Sequence, residues 1–530
     1  MIKSFLFTAI VFVSLTVSAQ QSALYNPSID VQHYAFHINV SDANDSLHGR
    51  AIITVRFTEK TNKVRFDLVN VNDTGRGMMV SEVKENDHPV SFAHLGDVVT
   101  IQLSKESAAN EIRKFEIVYA GIPADGLIIS QNKFKHRTMF ADNWPNRAHH
   151  WIPCKDHISD KAAVDFFVTA PEHYQVISNG VKLEENLLPG KHRLTHWKED
   201  VPLPTKIMVV GIADFAVQVT GTTNDIPVSS WIFPEMRDKG FADYAQAVDI
   251  LPFYIQHVGP YSYKKLANVQ SKTIFGGMEN ASAIFYFENS VNGERKNESL
   301  LAHEIAHQWF GDAATEIDWP HLWLSEGFAT EMTHLYLESR YGKDSIAKEL
   351  EKDRKAVIAF TKRTKLPVVD TVSKNLMQLL NTNSYQKGGW ILHMLRQQMG
   401  DDLFWKAVQT YYATYRGKNA STNDLQKIFE TVSGKKLQTF FDQWLRTGEN
   451  PALDVSWSYD NATQKISLTV TQQTNRVFEF PIEIQAGDEI NTVMISQKTT
   501  QVSFAAKSKP AKIVLDPKVK LLFEASVKER

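Results

Sequence analysis

Between residue 25 and about 217 the chain alternates apolar and polar side chains in short runs, DVQHYAFHINV, GRAIITVRF, DVVTIQL and RKFEIVYAG, divided by clusters of Asn, Asp and Gly. A period of two sends successive side chains to opposite faces of a strand, so this stretch predicts a β-rich domain. From about 218 the period lengthens. After the strand-like IPVSSWIF, apolar residues recur three and four apart over 241–257, 294–312, 322–341, 386–399 and 402–415, which predicts a mainly helical domain. Beyond Pro451 alternation returns in LDVSWSY, KISLTVTQQ, EFPIEIQ, NTVMISQ and QVSFAAK, the pattern of a small β-sandwich of about 75 residues. The expected class is α+β and multidomain: a β-rich domain over 20–217, a helical domain over 218–450 and a β-sandwich over 451–530. Neither an internal repeat nor a low-complexity linker interrupts it.

The first residues, MIKSFLFTAIVFVSLTVSAQQ, follow a different pattern: Lys3, an apolar run from Phe5 to Val17, then small Ser18 and Ala19 before a polar start. This is the pattern of a secretory signal peptide over residues 1–19, removed at V-S-A. A membrane anchor would need about 18 uninterrupted apolar residues, so the expected location is periplasmic or secreted, without stable membrane insertion after cleavage. Cys154 is the only cysteine; an exported mature chain then has no internal disulfide and relies on its core or on metal. With no lipobox cysteine near Ala19, a lipoprotein is not expected.

Composition narrows the partners. The 530 residues, 43% hydrophobic and 11% aromatic, can bury a large core and suit about three domains. Lys and Arg number 58 against 60 Asp and Glu, a net charge of -2. That balance gives no electrostatic argument for nucleic acid or an anionic membrane, so the partner is not expected to be a polyanion.

Candidate chemistry sits in the helical region. In LLAHEIAHQWFG, His303 and His307 are four apart and Glu304 follows the first. On a helix these two imidazoles share a face and can reach one tetrahedral ion. The competing reading is an amphipathic helix that merely carries histidines. Downstream, WLSEGFATEMTHLYLESRYG opens a second helix-patterned run at Glu326, whose carboxylate would complete a His2Glu ligand set.

These motifs resemble the M1 family of zinc aminopeptidases, the gluzincin group of aminopeptidase N that also includes leukotriene A4 hydrolase. The family signature is H-E-x-x-H, eighteen residues, then E; here residues 308–325 separate His307 from Glu326. The second signature, G-x-M-E-N, stands as GGMEN, Gly276, Gly277, Met278, Glu279 and Asn280, and SYQKGG places Tyr385 and Lys387 in the family's Y-x-K-G segment. Weaker agreement runs through WIPCKDHISDKA, FFDQWLRTGENP and IVLDPKVKLL. The resemblance implies a thermolysin-like catalytic domain with one zinc per chain on His303, His307 and Glu326. It implies Glu304 as general base, Tyr385 as donor to the developing oxyanion, and residues 276–280 as substrate-binding, Glu279 pairing with the α-ammonium of peptides with a free N-terminus.

Departures from the pattern are specific. Asp312 and Ser325 stand where the family carries asparagines. The first-domain partner of Glu279 falls among Asp142, Asn143 and Trp144. The chain ends after the small β-domain and is expected to be a short form without the long helical C-terminal domain. Two other functions fit these residues less well. Epoxide hydrolysis is disfavoured because Leu380 replaces its tyrosine, and a non-catalytic scaffold because it has no need of an open metal site.

Overall fold

The computed structural model describes residues 26–530; the stretch expected to be a signal peptide, residues 1–19, lies outside the described residues. The architecture is a β-rich N-terminal domain, a central helical domain and a β-rich C-terminal region, divided into two compact units, residues up to Val248 with Ser262–Asn297, and Asp249–Tyr261 with Glu298–Arg530. In the first unit an eight-stranded sheet is built around Ile29–Asn39, paired parallel to Ala162–Pro171 and antiparallel to Leu47–Phe57. Leu47–Phe57 shows why the sequence reads clearly: Leu47, Gly49, Ala51, Ile53, Val55 and Phe57 are buried, and the residues between them face outward.

A five-stranded sheet closes this unit. Its strands lie in the order Ala216–Thr223, Ile226–Ile232, Leu266–Ser271, Ala283–Phe287 and Gly277–Met278. The three inner strands are parallel, and the last pairs antiparallel as an edge. The helical expectation for residues after 218 therefore gives way to strand at Leu266–Ser271 and Ala283–Phe287. Every residue of the first is buried, as are all but Phe287 of the second, so neither shows the alternation that marks a strand with one wet face.

Among the described residues the α-helices are α1 (Arg237–Tyr244), α2 (Ala247–His257), α3 (Glu298–His307), α4 (Trp323–Tyr341), α5 (Lys343–Thr364), α6 (Gly388–Met399), α7 (Asp401–Tyr415), α8 (Thr422–Ser433) and α9 (Gln438–Leu445). α3 to α9 belong to the second unit, with two C-terminal sheets of four and three strands over 452–529. α8 begins at a capping box in which Ser421 and Asp424 bond each other's backbone amides. α4 carries the functional run and is buried almost throughout its first four turns. Among the described residues no helix is long and apolar enough to cross a membrane.

Candidate metal centre

One turn of α3 separates His303 from His307 and brings their Nε2 atoms to 3.1 Å. Glu326, in the first turn of α4, directs Oε2 at both, 3.4 Å from His303 and 3.3 Å from His307. This is the group among the described residues whose ligand-type atoms converge closely enough to hold an ion. The three distances form a nearly equilateral triangle. A tetrahedral zinc with bonds of 2.0–2.1 Å has ligand-to-ligand edges of about 3.3 Å, so the donors already stand at the spacing of one face of that tetrahedron.

Protonation agrees with ligation. His307 Nδ1 faces the Phe310 carbonyl at 3.1 Å and Ser325 Oγ at 3.1 Å. A carbonyl can only accept, so Nδ1 carries the proton and Nε2 presents its lone pair. Burial, with the neighbouring His307, holds His303 below the usual imidazole range against the pull of Glu326. Burial would push the Glu326 carboxyl up, but the two imidazoles outweigh it and hold it well below the ordinary range. Neutral imidazoles and an ionised carboxylate are the forms that bind a metal. Glu326 Oε2 is also buried with no hydrogen-bond donor, an unfavourable state for an isolated carboxylate oxygen that a cation relieves. The residues fit zinc. Glu326→Ala is accordingly expected to leave about a tenth or less of the zinc of the unmutated protein after mild chelation, measured by atomic absorption. Full metal content in that variant would remove Glu326 from the ligand set.

The frame around the donors is rigid for identifiable reasons. Glu298 opens α3, where a carboxylate suits the positive end of the helix dipole. It is gripped by Tyr336 Oη at 2.8 Å, by Arg340 Nε at 3.0 Å and by Tyr341 Oη, all from α4. Tyr254 of α2 donates to the Ala302 carbonyl at 2.9 Å. Trp323, at the start of α4, is fully buried and donates to Thr422 Oγ1 at 2.9 Å. Gly311 sits at φ +117, and a Cβ there would lie 2.2 Å from Ser325 Oγ. A side chain at 311 would thus be strained in itself and would collide with the hydroxyl beside His307. Ser325 touches the ligand directly, and Asp312 accepts from Gln308 at 2.8 Å.

Glu304 is 4% exposed on α3. Tyr385 lies in a π-helical turn, Asn383–Lys387, that runs straight into α6. Such turns concentrate at functional positions. Its ring stacks on His303 with centroids 5.8 Å apart and planes at 17°. What brings it there is a backbone-to-backbone crossing of α4 and α6: a Cβ on Gly327 would fall 2.8 Å from the Cα and carbonyl carbon of Gly388. Gly327 follows Glu326 and Gly388 follows Lys387, so the contact fixes Tyr385's turn against the helix of the third donor. Lys387 is fully buried, its ammonium lowered by burial to about 7, and its Nζ reaches the Glu449 carbonyl at 3.4 Å. Sequence reasoning had no signal for the Gly327–Gly388 contact.

Residues 276–280 belong to the first unit. Gly277–Met278 form the edge strand paired with Phe285 and Tyr286, Gly276 faces open space, and Glu279 is 6% exposed. Of the first-domain candidates for partner of Glu279, Asn143 spends its amide on the Thr205 and Met208 carbonyls and accepts from Trp151 Nε1. Trp144 is buried, its ring edge-on to Phe275 at 5.8 Å.

Comparison with known proteins accords with these features. The N-terminal domain of peptidase family M1 matches residues 30–207, and the peptidase family M1 domain matches residues 243–444. A probable aminopeptidase 2 of Sulfurisphaera tokodaii is 27% identical over 83% of this chain and 58% of its own length. A leucyl aminopeptidase of Saccharolobus solfataricus is 24% identical over 92% of this chain and 62% of its own. The chain thus spans somewhat more than half the length of these relatives. The crystal structure of Legionella pneumophila aminopeptidase A in complex with aspartic acid is similar in fold, with a TM-score of 0.81, 17% identity, and coverage of 95% of this chain and 60% of that one. With both family domains matched in order and the H-E-x-x-H and distal Glu donors converging, the chain belongs to peptidase family M1.

Proposed function

We propose that the chain is a zinc-dependent aminopeptidase that hydrolyses the N-terminal residue from peptides with a free amine. The observation that carries this reading is the triangle of His303 Nε2, His307 Nε2 and Glu326 Oε2, with edges of 3.1, 3.4 and 3.3 Å. Zinc there supplies Lewis acidity, lowering the pKa of a water from about 15.7 towards 7 and polarising the scissile carbonyl. Glu304, next to a ligand, takes the proton of the attacking water on its carboxylate and later returns it to the departing amine. The Tyr385 hydroxyl donates a hydrogen bond to the oxygen on which negative charge develops. Glu279 supplies the counter-charge for the α-ammonium of the substrate. On this reading the peptides are met in the periplasm or outside the cell, after export through residues 1–19.

Free-amine selectivity is the property that separates this proposal from an endopeptidase. Acetylating the substrate amine removes its charge, so the buried Glu279 carboxylate loses a cationic partner, which should cost about 2–5 kcal/mol in the transition state. Blocked peptides should then be cleaved at least about tenfold more slowly than matched free ones, chelator should abolish both rates, and Glu279→Ala should narrow the difference by slowing the free substrate. Equal kcat/KM for the two substrates in the unmutated protein overturns the aminopeptidase assignment and leaves the metal site standing.

A further inference from the structure

Ahead of Gly276–Asn280 runs a short exposed loop, and its anchor lies in the other half of the first unit. Asp142 is fully buried. Its Oδ2 accepts from Thr273 Oγ1 at 3.0 Å and from the Ile274 backbone N–H at 3.0 Å. Its Oδ1 accepts from Arg147 Nη2 at 2.7 Å, and Arg147 continues to Asp125 at 3.0 Å and to the Trp144 carbonyl at 2.8 Å. The Thr273 hydroxyl, having donated to Asp142, accepts from the Phe275 N–H at 3.3 Å. On the far side the same segment is laced to the neighbouring strand: Phe287 N–H donates to the Gly276 carbonyl at 3.0 Å, and Ala283 N–H to the Asn280 carbonyl at 3.0 Å. Residues 273–280 are therefore held at both ends, by a sheet ladder after Gly276 and by one carboxylate before it.

A ladder of two residues, Gly277–Met278, at the edge of a sheet is a weak clamp by itself. Charge-assisted bonds to a buried carboxylate are the stronger kind. Between Asp142 and the ladder lie Ile274, which is 60% exposed, Phe275, and a Gly276 with open space where a side chain would be. Ile274 and Gly276 contribute little packing of their own, so the register of the loop leans on the Asp142 bonds. Its apolar companion is the Trp144 ring edge-on to Phe275 at 5.8 Å, held by the Arg147 bond to Trp144's own carbonyl.

We propose that Asp142 is a positioning residue for the Gly276–Asn280 segment, ordering residues 273–276 so that the Glu279 carboxylate is presented in one orientation to the substrate ammonium. This rests on the reading of Glu279 given above. Asp142 does not touch the substrate in this role; it acts through the loop. Arg147 offsets its charge, so what it contributes is aimed acceptor geometry and not a second anion for the ammonium.

The test compares kcat/KM for matched free and acetylated peptides in Asp142→Ala, Asp142→Asn and Thr273→Val. In Asp142→Ala the free-to-acetylated ratio should fall by about fivefold or more, through the KM of the free peptide, while the acetylated peptide stays within about twofold of its original value. Asp142→Asn, whose amide oxygen can still accept from Thr273 and Ile274, should recover part of the ratio. Peptide-resolved hydrogen exchange over residues 270–280 should quicken in Asp142→Ala. An unchanged ratio overturns the proposal, including the case in which both substrates slow equally, the mark of a general folding defect. Should Asp142→Ala fail to fold, Thr273→Val, which keeps the Asp142–Arg147 pair, decides by the same ratio. Absence of any free-amine preference in the unmutated protein removes the Glu279 reading and this one with it. A preference that persists through all three variants removes this one alone.

Discussion

Glu304→Gln is expected to bind zinc as the unmutated protein does and to lose turnover, kcat falling by about 10²- to 10⁴-fold. The substitution keeps size, burial and the α3 backbone, so the donor triangle of His303, His307 and Glu326 is left as it stands. An amide has no basic oxygen for the water's proton and no acidic proton to hand to the leaving amine. The effect should therefore appear in kcat with KM little changed. Stoichiometric zinc by atomic absorption together with the loss of rate establishes the role. A zinc-loaded Glu304→Gln protein turning over at near-normal rate excludes it.

Tyr385→Phe removes one hydroxyl and preserves the ring stacked at 5.8 Å on His303. Its expected effect is a fall in kcat of about 10²- to 10³-fold with a much smaller change in KM, because a donor aimed at the developing oxyanion is worth more in the transition state than in the ground state. Packing cannot produce that split, since Phe fills the same space. Should kcat stay unchanged, Tyr385 is a packing residue for His303 and the oxyanion donor must be sought elsewhere.

The parts of the site that could be read from the chain are those whose geometry is local. His303 and His307 are one helical turn apart, and four-residue spacing alone places them on one face; Glu304 follows from adjacency. Glu326 stands out as a candidate third donor at the start of a second helix-patterned run, and the family's spacing matches it, but nothing local says that the first turn of α4 faces α3. Fold followed the same rule. The strands at Ile29–Asn39 and Leu47–Phe57 have one buried and one wetter face and alternate accordingly, whereas Leu266–Ser271 is buried on both and carries no period. α5 shows no clear helical period in the sequence, for its buried residues Ile346, Leu350, Val357 and Thr361 are sparse among charged neighbours. Asp142, Thr273 and Gly388 act through partners distant in sequence, which no window on a single chain can pair.

The contact of Gly327 with Gly388 mounts a metal donor and the hydroxyl of Tyr385 on one joint. Because no side chain cushions that joint, any shift of α6 along α4 is passed undiminished to both Glu326 and Tyr385. A displacement of about 1 Å at a reacting centre can cost about 10²-fold in rate, so with Glu326 and Tyr385 in the roles proposed above, moving these helices would change affinity for the ion and speed of hydrolysis together. Directed evolution of this scaffold toward new peptides should find its tolerated changes in the loops and along the α5 surface, with the two glycines retained.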